Sequence, residues 1–187
     1  MSIEKIHLCE KCDLCRNQQP LLQKNVKKAS IFWVGLSAVK SDDLFDSEPL
    51  SPITNTGRLI SEIEDMLPNF SFYKTNTVKC LPLDSHGKIR YPTMSEMSIC
   101  FENMQTEIYS IRPAIVVLLG SQVSEFIFKQ YKIPKSKLDE EFSYNSIDFN
   151  GINFLPVHHP SYIQIYKRKK AADYKMSISN AIQKVYA

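Results

Sequence analysis

The chain has 187 residues and a formal net charge of +3, so its length predicts one domain and its mild charge singles out no class of partner. A composition of 43% hydrophobic and 23% charged residues is that of a globular protein with one core. No apolar run reaches about 18 residues and the first residues lack an apolar signal region, so we expect no membrane span and a cytoplasmic location. There the five cysteines should be reduced, catalytic or metal-bound.

Strands and helices alternate along the predicted secondary structure. An apolar run at 29–37 predicts a strand, 38–56 a long loop, and the spacing at 54–68 a helix ending at Pro68. A strand at 71–81 and a helix at 93–111 capped by Thr93 or Ser95 follow. The remaining elements are a strand at 113–121, a helix at 122–131, a strand at 152–157 and a helix at about 168–186. This order predicts a three-layer α/β/α fold with a central, mostly parallel four-stranded sheet.

Three of the cysteines lie close together in the stretch LCEKCDLC. Cys9 and Cys12 form a CxxC pair, Cys15 extends it, and Cys80 and Cys100 follow far along the chain. A CxxC loop lets two thiolates bind one metal ion or one cluster corner, and four thiolates suit zinc or a 4Fe–4S cluster. Alternatively, Cys80 and Cys100 are small buried residues. A thioredoxin-type redox pair is disfavoured, because no βαβ unit surrounds the motif.

Polar side chains are expected at two strand ends. In PVHHPSY, residues 156–162, Pro160 cannot donate to a sheet ladder, so the strand should stop there and leave His158 and His159 at its end. Open α/β sheets bind ligands at such ends. In TNTVKCLP, the Asn76 amide offers a donor and an acceptor side by side, which suits the edge of uracil, unless it only forms a turn. The basic block at 167–170 either contacts phosphates or is a solvated helix end.

Five stretches in this order, WVGLS, TNTVKCLP, a cysteine in the next helix, IRPAIVVLLG and HHPSY, resemble a uracil-DNA glycosylase of the family with a 4Fe–4S cluster, usually called family 4. The resemblance covers about residues 9–166. It implies a single glycosylase-like domain over 1–187, with an N-terminal cluster-binding segment at about 7–20. It also implies that Cys15 is not a ligand and that four other cysteines hold the 4Fe–4S cluster, with zinc as the alternative: Cys9, Cys12, Cys80 and Cys100.

The resemblance assigns roles in hydrolysis of an N-glycosidic bond, which leaves a uracil anion. His159 would donate a hydrogen bond to that anion as its charge develops. Asn76 would read the flipped base, since a target base must leave the stack. Ser37 falls where related glycosylases hold the attacking water. The rest of the base pocket would be formed by Gly35, Leu36 and Leu50.

The resemblance makes DNA, double- or single-stranded, the expected partner. Ile163 would act as an apolar wedge into a duplex, and Ser161 would lie beside it at the DNA. The basic block would contact phosphates through Lys167, Arg168, Lys169 and Lys170.

The first strand departs from the family's pattern, which continues as Gly-Glu-Gly/Ala-Pro-Gly. Here the stretch at 35–39 is Gly-Leu-Ser-Ala-Val, and Leu50 stands where the family has a base-stacking Phe. A Ser hydroxyl binds water but is no base at neutral pH, and the acids that could substitute are Asp42, Asp43 and Asp46. The sequence predicts a DNA-binding protein of the glycosylase superfamily that excises uracil or another modified base. The alternatives are an inactive member that keeps the fold and cluster, and a zinc protein unrelated to DNA.

Overall fold

The central sheet has five strands. They are β1 (Ile31–Ser37), β2 (Phe72–Val78), β3 (Ile115–Leu119), β4 (Ile147–Phe149) and β5 (Ile152–Val157). Their order across the sheet is β2-β1-β3-β5-β4. Strands β2, β1, β3 and β5 run parallel to one another, and β4 pairs with β5 in the antiparallel sense. The computed structural model describes residues 3–25, 28–40 and 47–187.

The prediction of four strands is wrong, because β4 was missed. This strand has three residues and is joined to β5 by Asn150 and Gly151, which both have positive φ, 54° and 79°. Two central residues with positive φ are what a tight hairpin turn requires, and Asn-Gly is its usual sequence. A three-residue strand is too short to show a period of two, so the turn residues were the only signal.

Five α-helices surround the sheet: α1 (Asn55–Asp65), α2 (Met94–Ile111), α3 (Ser121–Tyr131), α4 (Pro160–Tyr166) and α5 (Ala171–Tyr186). Short 3-10 helices cover Ile3–Leu8, Asp13–Arg16 and Arg168–Lys170. The predicted cap of α2 is confirmed: Thr93 Oγ1 accepts from the Glu96 N–H, and the Glu96 carboxylate accepts from the Thr93 N–H. None of the helices in the described ranges has the length and hydropathy to cross a bilayer.

The sheet separates two hydrophobic cores. Alternate residues of β1 serve both, since successive strand residues point to opposite faces. Phe32 and Val34 pack with α2 and α3, whereas Ile31 and Trp33 pack with α1, α4 and α5. The predicted three-layer architecture with a mostly parallel sheet is therefore confirmed.

A crevice is expected where β1 and β3 lie side by side. The chain leaves β1 for α1 on one face of the sheet, and leaves β3 for α3 on the other. Neighbouring parallel strands that diverge in this way open a ligand crevice beyond their carboxyl ends. The sequence places Ser37, Asn76 and His159 at or just beyond the carboxyl ends of β1, β2 and β5.

Candidate functional site

A cavity of about 560 Å³ lies at the carboxyl ends of the strands. We call it the base pocket. Six residues predicted from the sequence line it together, although they come from four separate parts of the chain. They are Gly35, Leu36, Ser37, Leu50, Asn76 and His159.

Gly35 makes room for the side chain of Asn76. The two residues are partners in the pairing of β1 with β2, and a Cβ atom on Gly35 would lie 2.3 Å from Asn76 Oδ1 and 3.0 Å from Leu50 Cδ2. Asn76 is only 3% exposed. Within the described part of the chain, its amide group has no hydrogen-bond partner. Neither amide atom belongs to the fully buried polar atoms that lack a partner, so the amide is open to the base pocket, which Asn76 lines, and is available to a ligand there.

A buried ion pair supports Asn76 from behind. Lys79 Nζ lies 2.6 Å from the Glu107 carboxylate, and both side chains are fully buried. The same ammonium donates to the main-chain carbonyl of Asn76 at 2.5 Å and to Thr75 Oγ1 at 2.8 Å. Glu107 accepts two further hydrogen bonds, from Tyr73 Oη and Thr75 Oγ1, each at 2.9 Å. Sequence reasoning gave Lys79 no role beyond its place in the family motif.

The hydrogen bonds of His159 fix which ring nitrogen carries the proton. The Ser161 N–H donates to His159 Nδ1 at 3.2 Å, and Ser161 Oγ lies 2.7 Å from the same nitrogen. In the neutral ring the proton is then on Nε2. Burial lowers the pKa of His159 below its ordinary value, which favours the neutral form. Gly120, at the end of β3, packs against the side chain: a Cβ there would lie 3.2 Å from His159 Cβ.

The neighbouring His158 is part of the scaffold. Its Nδ1 lies 2.9 Å from Tyr144 Oη, and its carbonyl accepts from Tyr174 Oη at 2.8 Å. Its ring stacks on Tyr162, with centroids 5.4 Å apart. These contacts hold the strand end that carries His159.

Besides Leu21 and Val39, two segments of the base pocket were missed from the sequence. One is Ile89–Tyr91 in the loop before α2, and the other is the start of α1 at 54–56. Arg90 holds the first segment in place through two bonds to the Glu96 carboxylate, at 2.6 and 2.8 Å. No carboxylate of the described residues lines the pocket. Asp42, Asp43 and Asp46 lie outside the described residues.

The five cysteines share one neighbourhood. The pKa of Cys80 is raised, first by burial and then by the nearby thiols of the other four. Cys9 Sγ accepts from Asn103 Nδ2 at 3.3 Å, and Cys100 Sγ accepts from the Lys79 N–H at 3.4 Å. N–H groups directed at sulfur suit thiolates that bind a metal or a cluster. Across the described ranges, however, no three or more Cys, His, Asp or Glu side chains form a group that could hold a metal ion.

The N-terminal segment is attached to the sheet and to α2 independently of any metal. Asn17 Nδ2 donates to the Leu81 carbonyl at 2.9 Å, and the Leu21 N–H donates to the Lys79 carbonyl at 2.8 Å. Lys11 forms an ion pair with Glu102 of α2. The segment that carries Cys9 and Cys12 therefore lies against the part of the chain that carries Cys80 and Cys100.

The residues predicted to contact DNA lie in different surroundings. Ile163 is fully buried in the core against α5, so its prediction as a wedge is wrong for this structure. Ser161 lies in α4 beside the base pocket and bonds to His159. Part of the basic block is neutralised: Lys167 pairs with Glu140 at 3.0 Å, and Lys170 with Glu141 at 3.5 Å. Arg168 and Lys169 lie in the 3-10 helix between them.

Three relatives are named type-4 uracil-DNA glycosylase. The one from Archaeoglobus fulgidus is 29% identical over 134 residues, which is 70% of this chain and 64% of that protein. The one from Saccharolobus solfataricus is 25% identical over 84% of this chain and 73% of that protein. The one from Sulfurisphaera tokodaii is 27% identical over 89% and 67%. The match thus spans less than two thirds of the A. fulgidus protein.

A crystal structure of wild-type Pedobacter heparinus SMUG2 superposes with a TM-score of 0.56, at 13% identity, covering 85% of this chain and 76% of that one. At this identity the likeness concerns the fold. The sequence model described as the uracil DNA glycosylase superfamily matches residues 16–183. Because that match takes in most of the chain, the protein belongs to the uracil DNA glycosylase superfamily.

Proposed function

We propose that this protein hydrolyses the N-glycosidic bond of uracil in DNA after the base has flipped into the base pocket. The observation that carries the proposal is the meeting of two groups in one cavity, the unpartnered Asn76 amide and the His159 imidazole. The names of the three relatives support the same activity. They lend no support to the alternative of an inactive member.

Asn76 supplies base choice. Its Oδ1 accepts from the N3–H of uracil while its Nδ2 donates to O4, because the amide presents an acceptor and a donor side by side. Cytosine presents the reverse pattern, an amino group and an unprotonated N3, and would leave both pairs mismatched. A mismatched buried polar pair excludes an analogue far more strongly than a change of shape does.

His159 stabilises the leaving group. As the bond between C1′ and N1 breaks, its electron pair moves to the base and charge gathers on the oxygens of the ring. A neutral imidazole with its proton on Nε2 donates to that charge. Such a donor is typically worth about 3–4 kcal/mol in the transition state. Burial favours the neutral ring, and the bond from the Ser161 N–H to Nδ1 favours the tautomer that has its proton on Nε2.

Ser37 holds the attacking water. It is the last residue of β1 and lines the base pocket. When the leaving base departs as a stabilised anion, the sugar carbon is strongly electrophilic, and a positioned water needs little activation. The water oxygen bonds to C1′ and its proton passes to solvent.

We infer that Cys9, Cys12, Cys80 and Cys100 hold a 4Fe–4S cluster. The shared neighbourhood of the five thiols supports a site for a metal or cluster, the N–H groups directed at Cys9 and Cys100 favour these two as ligands, and the exclusion of Cys15 rests on the family motif. The cluster would supply a cross-link between the N-terminal segment and α2. The reaction itself proceeds on Asn76, His159 and Ser37.

The test is release of uracil from a defined oligonucleotide under single-turnover conditions. We expect His159→Ala to lower the rate of bond cleavage by about a hundredfold or more. The matched control is His86→Ala, which removes an exposed histidine bonded only to its own turn. We expect Asn76→Ala to abolish the preference for uracil over cytosine. Equal cleavage rates for wild type and His159→Ala would refute the proposed function.

A further inference from the structure

A second cavity adjoins the mouth of the base pocket. Its volume is about 370 Å³, and it shares Leu36, Tyr91 and His159 with the base pocket. We call it the flanking cavity. Its other walls come from the start of α3 and from one side of α4. A nucleotide next to a base held in the base pocket would reach this cavity first.

Two tyrosines line the flanking cavity although most of their surface is exposed. Tyr91 is 73% exposed and Tyr166 is 72% exposed. Tyr166 ends a row of rings: the centroids of His158 and Tyr162 are 5.4 Å apart with planes at 18°, and those of Tyr162 and Tyr166 are 5.5 Å apart. The Tyr144 hydroxyl fixes the inner end of the row. The planes of Tyr162 and Tyr166 are tilted by 42°, so Tyr166 packs against the row without stacking on it. Exposed aromatic rings are surfaces on which unpaired bases stack.

The helix that carries Tyr166 lacks the expected duplex wedge. Ile163 is buried in the core, and the exposed aliphatic residue of α4 is Ile165, at 68%. Ile165 lines the flanking cavity together with Tyr91 and Tyr166. The three residues form a broad apolar surface rather than a single protruding side chain. In a duplex only the faces that border the vacated position are free, and a narrow wedge fills that gap, whereas unpaired neighbours can each offer a whole face to a broad apolar surface.

Positive charge lies next to this surface. Lys135 and Lys137 line a further cavity that shares Ser121, His159 and Tyr162 with the flanking cavity. Lys135 pairs with Glu125 at 3.2 Å, so the net positive charge there comes from Lys137. A strand whose bases stack on tyrosines directs its phosphates outward, where lysines can neutralise them. Aromatic faces next to lysines are typical of a site for single-stranded nucleic acid.

We propose that the flanking cavity binds unpaired bases next to the target base, so that single-stranded DNA is the preferred substrate. This proposal rests on the proposed function, because the base pocket defines which nucleotide is the target. Each tyrosine that stacks on a base should strengthen binding at least about fivefold.

The test is fluorescence anisotropy with a labelled oligonucleotide that carries a central abasic analogue, single-stranded or annealed. We expect Tyr91→Leu and Tyr166→Leu each to weaken binding of the single strand at least about fivefold. Tyr166→Leu, which lies outside the base pocket, should change duplex binding little. Tyr91→Phe keeps the ring and should bind as wild type does. The matched control is Tyr109→Leu, which removes a 77% exposed ring from α2, outside these cavities. Thermal melting confirms that each variant is folded.

Two results would overturn the proposal. One is unchanged single-strand binding in both leucine variants. The other is faster cleavage of duplex than of single strand, with Ile165→Ala impairing only the duplex, which would make Ile165 a wedge. Failure of the proposed function is recognised separately, because the binding assay involves no chemistry. Tyrosine-dependent single-strand binding without any uracil release would support the flanking cavity and refute the proposed function.

Discussion

Replacing Lys79 by Met should destabilise the protein strongly. The change keeps the length of the side chain but removes its charge. Glu107 then remains fully buried with hydroxyl donors from Tyr73 and Thr75 but without a cation. Removing one partner of a buried ion pair typically costs about 3–5 kcal/mol. A whole domain has only about 5–15 kcal/mol of stability, so this single change should consume a large part of it.

The magnitude can be divided with a double-mutant cycle. Glu107→Gln leaves the ammonium without its anion and should be costly for the same reason. The combination with Lys79→Met removes both charges and keeps an acceptor for the Tyr73 hydroxyl. We expect the double variant to lose less stability than the sum of the two single variants, with a coupling of about 1–3 kcal/mol.

Unfolding in urea at neutral pH, followed by circular dichroism, measures these free energies. A loss below about 1 kcal/mol in Lys79→Met, or strict additivity in the double variant, would refute the argument that the pair is a buried, mutually dependent unit. Where the single variants are too unstable, the double variant still reports on Asn76. Without the ammonium at its carbonyl, Asn76 should discriminate less between uracil and cytosine.

Three further outcomes are expected. Iron content and visible absorbance of anaerobically purified protein should collapse in Cys80→Ser and survive in Cys15→Ser, and the reverse would overturn the proposed ligand set. Burial lowers the pKa of both His158 and His159, so the unfolded chain binds more protons. Stability should therefore fall as pH decreases below about 6.5, and His159→Gln should flatten that slope in denaturation curves measured at several pH values. Gly35→Ala places a methyl group 2.3 Å from Asn76 Oδ1 and should abolish the preference for uracil over cytosine as Asn76→Ala does, whereas an unchanged preference would show that the amide need not lie there.

The strand-end residues were predictable because parallel strands gather their carboxyl ends at one edge of a sheet. His159 comes just after an apolar run, and Asn76 lies near the end of an alternating stretch, so their place in the fold follows from the pattern of the chain. The strand order across the sheet then brings Asn76 and His159 close to Gly35. The polar loop that brings Tyr91 to the pocket was different. Its position depends on the ion pair of Arg90 with Glu96, which no periodicity reports.

The error over Ile163 has a geometric cause. An α-helix turns by about 100° per residue, so Ile163 and Ile165 point about 200° apart around α4. One faces the core and the other faces the flanking cavity. The sequence analysis placed Ile163 at the DNA, but which face of α4 is turned outward depends on how the helix packs on the core shared with α1 and α5. The five cysteines show a similar limit, since their spacing in the sequence does not fix which of them would bind a metal or a cluster.

Gly35 and Asn76 behave as one unit of specificity. The missing side chain at one position is occupied by the amide of the other, so neither can change alone without leaving a collision or a hole. A larger residue at 35 becomes possible only if position 76 becomes smaller, and the pocket then loses its edge-reading group. Among homologues the two positions should therefore vary together. In directed evolution toward another base, libraries that randomise both codons at once should find active pockets that single-site libraries miss.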